Sequence, residues 1–332
     1  MARKKRTAQD VINDNRRAIT DKFVSMISDP SLDWVKQWSG ASTASPCNPC
    51  SGTRYNGGNR LALAFAANVF KDNRFCTYKQ AQRRGWQVNR GAMGFIVEKW
   101  GTVNVYKRDD DGNVITDEDG HKVIAYRYGR PLAYYTVFNF SEIEGAPEFV
   151  LPPKMTPDAN TRLMDDFIAT SDCRVREGHG DRACYSPIFD YISIPSREVF
   201  TDTTAALHTL LHEMGHSTGH ASRLARPGIT EFDGFGSEQY AFEELVAELS
   251  SVFTASYVGA AAMQDEGHRR NHAAYLQSWL SKLGSDPDYL FKAASQAERA
   301  SDHIIERLVA EHPEYAKEVE AIPETVAETS AA

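Results

Sequence analysis

Residues 208–220 read HTLLHEMGHSTGH and contain His212-Glu213-Met214-Gly215-His216, an HExxH pattern. On an α-helix, residues four apart lie one turn above each other, so His212 and His216 aim two imidazoles at one metal ion. Glu213, one residue further round, reaches water at that metal. A metal lowers the pKa of such water towards about 7, and a carboxylate beside it takes the proton and passes it to a leaving amine. His212 and His216 are therefore the expected metal ligands and Glu213 the expected base. The flanking Leu210, Leu211 and Met214 mark the helix as buried, where imidazoles without partners are expensive.

A catalytic metal site needs a third protein ligand and an open position. Residues 240–253, YAFEELVAELSSVF, offer one, because Glu244 and Glu248 are four apart on a helix whose Leu245 and Val252 pack inwards. One carboxylate can bind the metal and the next can orient a ligating histidine. Glu243 is expected to point elsewhere. His208 and His220 are expected to assist a ligand or to face solvent, since three ligands stacked along one straight helix span about 11–12 Å.

Around this centre the chain has 332 residues, 42% hydrophobic and 25% charged, which excludes collagen-like, low-complexity and wholly disordered classes and suits two cores of ordinary size. The net charge of −8 hides an asymmetry: residues 1–150 hold 22 Lys/Arg against 16 Asp/Glu, and residues 151–332 hold 15 against 29. Residues 51–100 alone hold nine basic and two acidic residues, and a basic surface mixed with aromatics is the electrostatic mark of nucleic-acid binding. No run of about 18 apolar residues occurs, and the first residues lack a leader pattern, so the expectation is a cytoplasmic protein without a membrane span. Five cysteines, an odd number, do not form a disulfide framework.

Along the chain, helical spacing predicts an amphipathic helix from Thr7 to about Ser28, with Thr7 as N-cap. Gly40 to Asn59 reads as a long loop, followed by two short helices, LALAFAANVF and TYKQAQRRG. From Gly94 the pattern turns to β-rich pieces: FIVEKW, TVNVYKR, KVIAYRY and LAYYTVFNF. The acidic stretch from Asp109 to Asp119 between them is expected to be a solvated turn that repels DNA. Four prolines between Glu142 and Asn160 mark a boundary. Beyond it come a helix, two strands (CRVRE and SPIFDYISIP) and an almost wholly helical pattern to Val309. The acidic, apolar-poor tail over residues 313–332 is expected to be disordered.

At six places the chain resembles a known family. Residues 208–227, 235–253 and 275–283 resemble the zincin-like metallopeptidase domain of ArdC-type antirestriction proteins, carried by plasmids and phages. WVKQW at 34–38, TRYNGGN at 53–59 and RFCTYKQAQRRGWQVNRGAMG at 74–94 resemble the N-terminal domain of that family, which also occurs in TraC-type plasmid primases. The resemblance implies an α+β protein: a helix-rich N-terminal domain with a small antiparallel sheet over residues 1–150, and a mainly helical zincin-like domain over residues 155–312. It implies metal ligation by His212, His216 and Glu244, with Glu213 as base and Glu248 orienting a ligand. The metal expected is divalent, Zn2+ first, with Mn2+ or another divalent ion as alternatives.

The implied function is antirestriction: the N-terminal domain binds single-stranded DNA and the protein protects incoming plasmid or phage DNA. A rival reading is a metalloprotease that cleaves a host protein and uses DNA for localisation; a third is a catalytically silent zincin kept as a scaffold. Single strands are held by a basic groove and by rings on which bases stack. Arg74, Lys79, Arg83, Arg84 and Arg90, interleaved with Tyr78 and Trp86, supply both, and Trp34, Trp38, Arg54, Tyr55 and Asn59 complete the expected surface. Cys47-Asn-Pro-Cys50 and the NGGN at 56–59 depart from the family pattern. A single CxxC with Cys76 falls one ligand short of a zinc site, so Cys47 and Cys50 are expected to be free thiols.

Overall fold

Thr7 and Asp10 cap each other: the Thr7 hydroxyl accepts from the Asp10 backbone N–H, and the Asp10 carboxylate accepts from that of Thr7 at 2.8 Å. This reciprocal cap starts helix α1, Ala8–Ile27, as the sequence predicts. The computed structural model describes residues 6–28, 44–178, 180–200, 202–231, 237–260 and 279–324. Trp34 and Trp38 lie outside the described residues.

The expected loop before residue 60 contains more order than its composition suggests. Cys47–Asn48 (β1) and Thr53–Arg54 (β2) form a small hairpin, and α2 already begins at Gly57 and runs to Phe70. The two glycines of NGGN have separate reasons. Gly57 has φ +53°, a left-handed conformation that side chains rarely adopt, and a Cβ on Gly58 would collide with the Phe291 ring. The glycine pair thus lets α2 start against a helix from the other end of the chain.

Phe75–Thr77 (β3), Tyr78–Gln82 (α3) and Gln87–Val88 (β4) follow. The four β-rich pieces then merge into one long hairpin of β5, Gly94–Tyr106, and β6, Ile124–Asn139, with a bulge opposite Lys99 and Trp100. Gly101, Gly129 and Pro131 had split the pattern in sequence. They sit at or beside the bulge, where broken alternation is tolerated. The sheet order is β3-β6-β5, and β4 pairs with Ile143–Glu144 (β7).

The C-terminal half opens with α4, Pro157–Ala169, and a three-stranded sheet of Arg174–Glu177 (β8), Cys184–Ser186 (β9) and Tyr191–Ile194 (β10), with β10 central and β9 at one edge. Helix α5, Thr203–Ser217, carries the HExxH segment. Short α6, Pro227–Thr230, precedes α7, Glu238–Val258, and α8, Asp288–Glu311, packs along α7. No helix among the described residues is long and apolar enough to cross a membrane.

One large core joins the two ends of the chain. Phe23, Met26 and Ile27 of α1 and Leu61 and Phe65 of α2 pack with Leu163, Leu210, Leu245, Leu290 and Phe291, while Leu63, Ala66 and Ala67 on the opposite side of α2 meet Phe75 of β3 and Val97 and Val137 of the hairpin root. Ion pairs anchored on two buried arginines reinforce the same seam. Arg16 binds Glu98 at 2.6 Å and Asp288 at 2.6 Å, and Arg60 binds Glu298 at 2.9 Å. The tail departs from expectation as far as Glu324. Ile322 donates its N–H to Pro49 O at 2.9 Å and packs beside Cys50, and Lys317 O accepts from Arg54 at 2.6 Å. Backbone hydrogen bonds and one isoleucine anchor a segment whose composition alone reads as disordered; residues 325–332 lie outside the described set.

Candidate metal centre

Asp202 starts α5 by accepting the Ala205 backbone N–H at 2.9 Å, and from Ala205 onward every residue of the helix is buried. Helices α5 and α7 approach so closely that a Cβ on Gly215 would collide with Ser250 Oγ and press on the Ala247 backbone. This approach brings Glu244 to the HExxH face. The Nε2 atoms of His212 and His216 lie 3.1 Å apart, and each lies 3.5 Å from an oxygen of Glu244. One ligand atom from each of the three residues falls within 4.8 Å of the others, an arrangement that can hold a metal ion.

The far sides of both imidazoles are engaged. His212 Nδ1 is 2.9 Å from Glu248 Oε2, and Glu248 Oε1 is 3.2 Å from His208 Nε2. His216 Nδ1 is 3.3 Å from Glu243 Oε1, and Glu243 is held by Arg226, whose Nε donates to Glu243 Oε2 at 2.8 Å. Arg226 also donates to Gly215 O at 2.7 Å and to Thr218 Oγ1 at 2.6 Å, closing the turn after α5. The expectation that Glu243 points elsewhere is therefore corrected. Glu243 and Glu244 are adjacent, and α7 lies near enough that one reaches the Nε2 side of His216 and the other its Nδ1 side. Arg226, one of two arginines in the loop after α5, had no signal in the sequence that pointed to Glu243. His208 is buried against Glu248, while His220 bonds Ser222 in the loop after α5.

The electrostatics suit a cation. Burial disfavours an imidazolium, but the carboxylates of Glu244 and Glu248 outweigh it and hold His212 well above the usual histidine pKa. His216 behaves likewise: burial lowers it, Glu244 and Glu243 raise it, and it is pushed up to about 9. Burial raises Glu244, yet His216 and His212 bring it well below the ordinary carboxylate range. Two nitrogens and a carboxylate, buried and aimed at one point, attract positive charge, with protons filling that role when no metal does. Glu213 differs from these, because burial raises its pKa and the nearby histidines only partly offset that. It accepts the Tyr185 backbone N–H from edge strand β9.

The residues expected to bind nucleic acid divide into two groups. Tyr78, Lys79, Arg83 and Arg90 are exposed. The others among the described residues are tied inward. Arg74 makes a two-pronged pair with Asp72, at 2.9 and 2.7 Å; Arg84 is buried and donates to Cys50 O at 2.8 Å and to Ile322 O. Arg54 stacks on Tyr257 and donates to Lys317 O, and Asn59 brackets the backbone of Glu98 at 2.7 and 2.8 Å. Tyr55 packs against the hairpin-root core, and Trp86 meets Phe140 edge-on at 5.5 Å. Cys47, Cys50 and Cys76 are all free thiols.

Comparison with known proteins agrees with this geometry. Residues 162–296 match the family model of a zincin-like metallopeptidase, and residues 13–138 match that of the N-terminal domain of the anti-restriction factor ArdC. The fold is similar to the crystal structure of the antirestriction ArdC protein from the R388 plasmid in its metal-free form, with a TM-score of 0.68 and 31% identity, covering 90% of this chain and 98% of that one. The chain belongs to the ArdC antirestriction family. The Mn(II)-bound structure of the R388 ArdC is similar too, with a TM-score of 0.65 and 32% identity, covering 88% of this chain and 97% of that one. A DNA primase TraC of Escherichia coli is 34% identical over 293 residues, 86% of this chain but only 26% of the primase. This chain thus spans about a quarter of that relative. The uncharacterized protein y4eC of Sinorhizobium fredii is 32% identical over 292 residues, and 89% of its own length is covered.

Proposed function

We propose that this ArdC family member is a cytoplasmic protein that binds single-stranded DNA and protects entering plasmid or phage DNA from restriction, with a divalent ion, Zn2+ or Mn2+, held by His212, His216 and Glu244. The single observation that carries the metal assignment is the convergence of both Nε2 atoms on the oxygens of Glu244 while both Nδ1 atoms meet carboxylates. A metal, when bound, supplies a Lewis acid that polarises a carbonyl and acidifies water. The chain's own part is to fix the ligands through Glu248 and Glu243, to keep the centre dry between α5 and α7, and to hold a proton at Glu213.

For DNA, support comes from the basic N-terminal half, from Tyr78, Lys79, Arg83 and Arg90 on the surface, and from the ArdC N-terminal family match. Coating the strand blocks a nuclease without peptide hydrolysis. The experiment is protection of DNA from a restriction enzyme by the wild-type protein and by Glu213→Gln; loss of protection in the variant, with metal and DNA affinity intact, overturns the coating reading.

The metalloprotease reading keeps one specific observation in its favour. Glu213 is buried beside the ligands with raised proton affinity and does not itself face the Glu244 oxygens as a ligand, which is the disposition of a base. A purely structural metal site has no use for such a group.

A further inference from the structure

The β5–β6 hairpin is buried only at its root. From Lys99 to Tyr106 and from Ile124 to Leu132, none of its residues is fully buried. Side chains alternate across a strand, so one face of this arm carries Tyr126 opposite Val105, Tyr128 opposite Val103 and Arg130 opposite Gly101. Leu132, at the bulge, leans over Gly101, where a Cβ would collide with it. The result is an apolar and aromatic stripe left open among the described residues: Tyr126 is 61% exposed, Tyr128 43% and Leu132 49%. The two tyrosine rings stand 6.3 Å apart, tilted by 40°. An exposed stripe of this kind adds nothing to the core, and a rim of polar residues around it marks a surface for a partner.

The charges name the partner. Lys99, Arg127 and Arg130 are exposed, and none of them has a salt bridge among the described residues; Arg130 lies on the tyrosine face and Arg127, by the same alternation, on the opposite one. The acidic segment lies beyond Tyr106 and Ile124, at the tip. There the Asp109 and Asp117 carboxylates turn back to accept backbone N–H groups of their own turns, at 2.8 Å from Asn113 N and His121 N. Repulsion of phosphate is thus confined to the tip, and the aromatic stretch beneath it carries unpaired cations. Rings spaced along a strand with a guanidinium group next to them on the same face suit unpaired bases and a phosphate; a duplex hides its base faces.

We propose that this face of the hairpin is a stacking platform for single-stranded DNA, with bases on Tyr126 and Tyr128 and a phosphate on Arg130. The proposal rests on the DNA-binding reading above and locates its main contact away from Arg54, Arg74 and Arg84. The test uses the full chain and labelled oligothymidylate, with fluorescence anisotropy at two salt concentrations. Tyr126→Ala/Tyr128→Ala should bind at least tenfold more weakly with an unchanged unfolding midpoint, because the rings support no core. Tyr126→Phe/Tyr128→Phe should keep wild-type affinity, and Arg130→Ala should flatten the salt dependence. Wild-type protein that fails to bind oligothymidylate sinks the DNA-binding reading itself. A double alanine variant that binds within twofold of wild type overturns the platform and leaves that reading standing. Equal losses on duplex and single strand, or phenylalanine variants as weak as alanine, overturn stacking.

Discussion

Glu243 meets His216 Nδ1 at 3.3 Å, on the side of the imidazole away from the Nε2 that faces Glu244. Neighbouring carboxylates on α7 therefore act on opposite nitrogens of one ring. Glu248 does for His212 what Glu243 does for His216, and Arg226 fixes Glu243 in turn. Each imidazole is thus held in one orientation, with its Nε2 side turned to Glu244.

Replacing those carboxylates with amides tests this directly. Glu243→Gln and Glu248→Gln keep the volume and a hydrogen bond but remove the charge that favours the ligating tautomer. Each should weaken metal binding by about 10- to 100-fold, read by competition with a chelator, and leave the helices intact. Unchanged affinity in both variants would leave the two carboxylates with a packing role alone.

Removing a ligand should act on stability as well. His212→Ala or His216→Ala takes away one of three protein donors, so most of the metal should be released. Binding to the folded state alone stabilises it, by about 4 kcal/mol when free metal is a thousand times its dissociation constant. The wild-type unfolding midpoint should fall on adding EDTA, and the midpoint of either variant should not respond.

Close packing of α5 on α7 is a precondition for the site. Gly215→Ala places a methyl against Ser250 and the Ala247 backbone, with neighbours that are themselves helical and cannot withdraw. Overpacking of this kind destabilises by about 1–3 kcal/mol. Calorimetry should show the loss, and metal affinity should fall with it because Glu244 rides on the displaced helix.

How far the sequence could be read depended on whether a feature was local. His212, His216, Glu213, Glu244 and Glu248 follow from helical spacing, which is a short-range property. Glu243 and Arg226 do not, since their partnership depends on how α7 and the loop after α5 fold back. The arginines read as a DNA face divide for the same reason: Arg84 and Arg74 satisfy carbonyls and an aspartate that are visible only once the chain is folded. In the hairpin the alternation Tyr126-Arg127-Tyr128-Gly129-Arg130 was present all along, but Gly101 and Pro131 broke it into pieces too short to read as one arm.

The shared core has its own consequence. A fragment ending near Pro153 would expose Phe23, Met26, Leu61 and Phe65 and would leave the buried Arg60 without Glu298, while Arg16 would keep Glu98. Breaking a buried pair by removing one partner costs about 3–5 kcal/mol. That fragment should therefore fold poorly alone, with a broad thermal transition by circular dichroism, although it holds the basic charge. A sharp transition like that of the full chain would show that the seam contributes little.

Glu213→Gln separates the roles of metal and DNA. Glu213 is buried, and its carboxylate is drawn toward the protonated form by that burial, so an amide of equal size fits without a lost charge pair. The variant should bind metal and oligothymidylate as the wild type does, because neither the ligands nor the hairpin is touched. If protection comes from coating the strand, the variant should protect DNA from a restriction enzyme to the wild-type extent, both with purified components and in cells receiving unmodified DNA. If a host protein must be hydrolysed, protection with purified components survives while protection in cells disappears, because only the proton carrier has been removed. Charge and exposed aromatics give the coating mechanism a physical basis in the N-terminal half, so retained protection in cells is the expected result. A loss in cells alone would transfer the function to the site between α5 and α7.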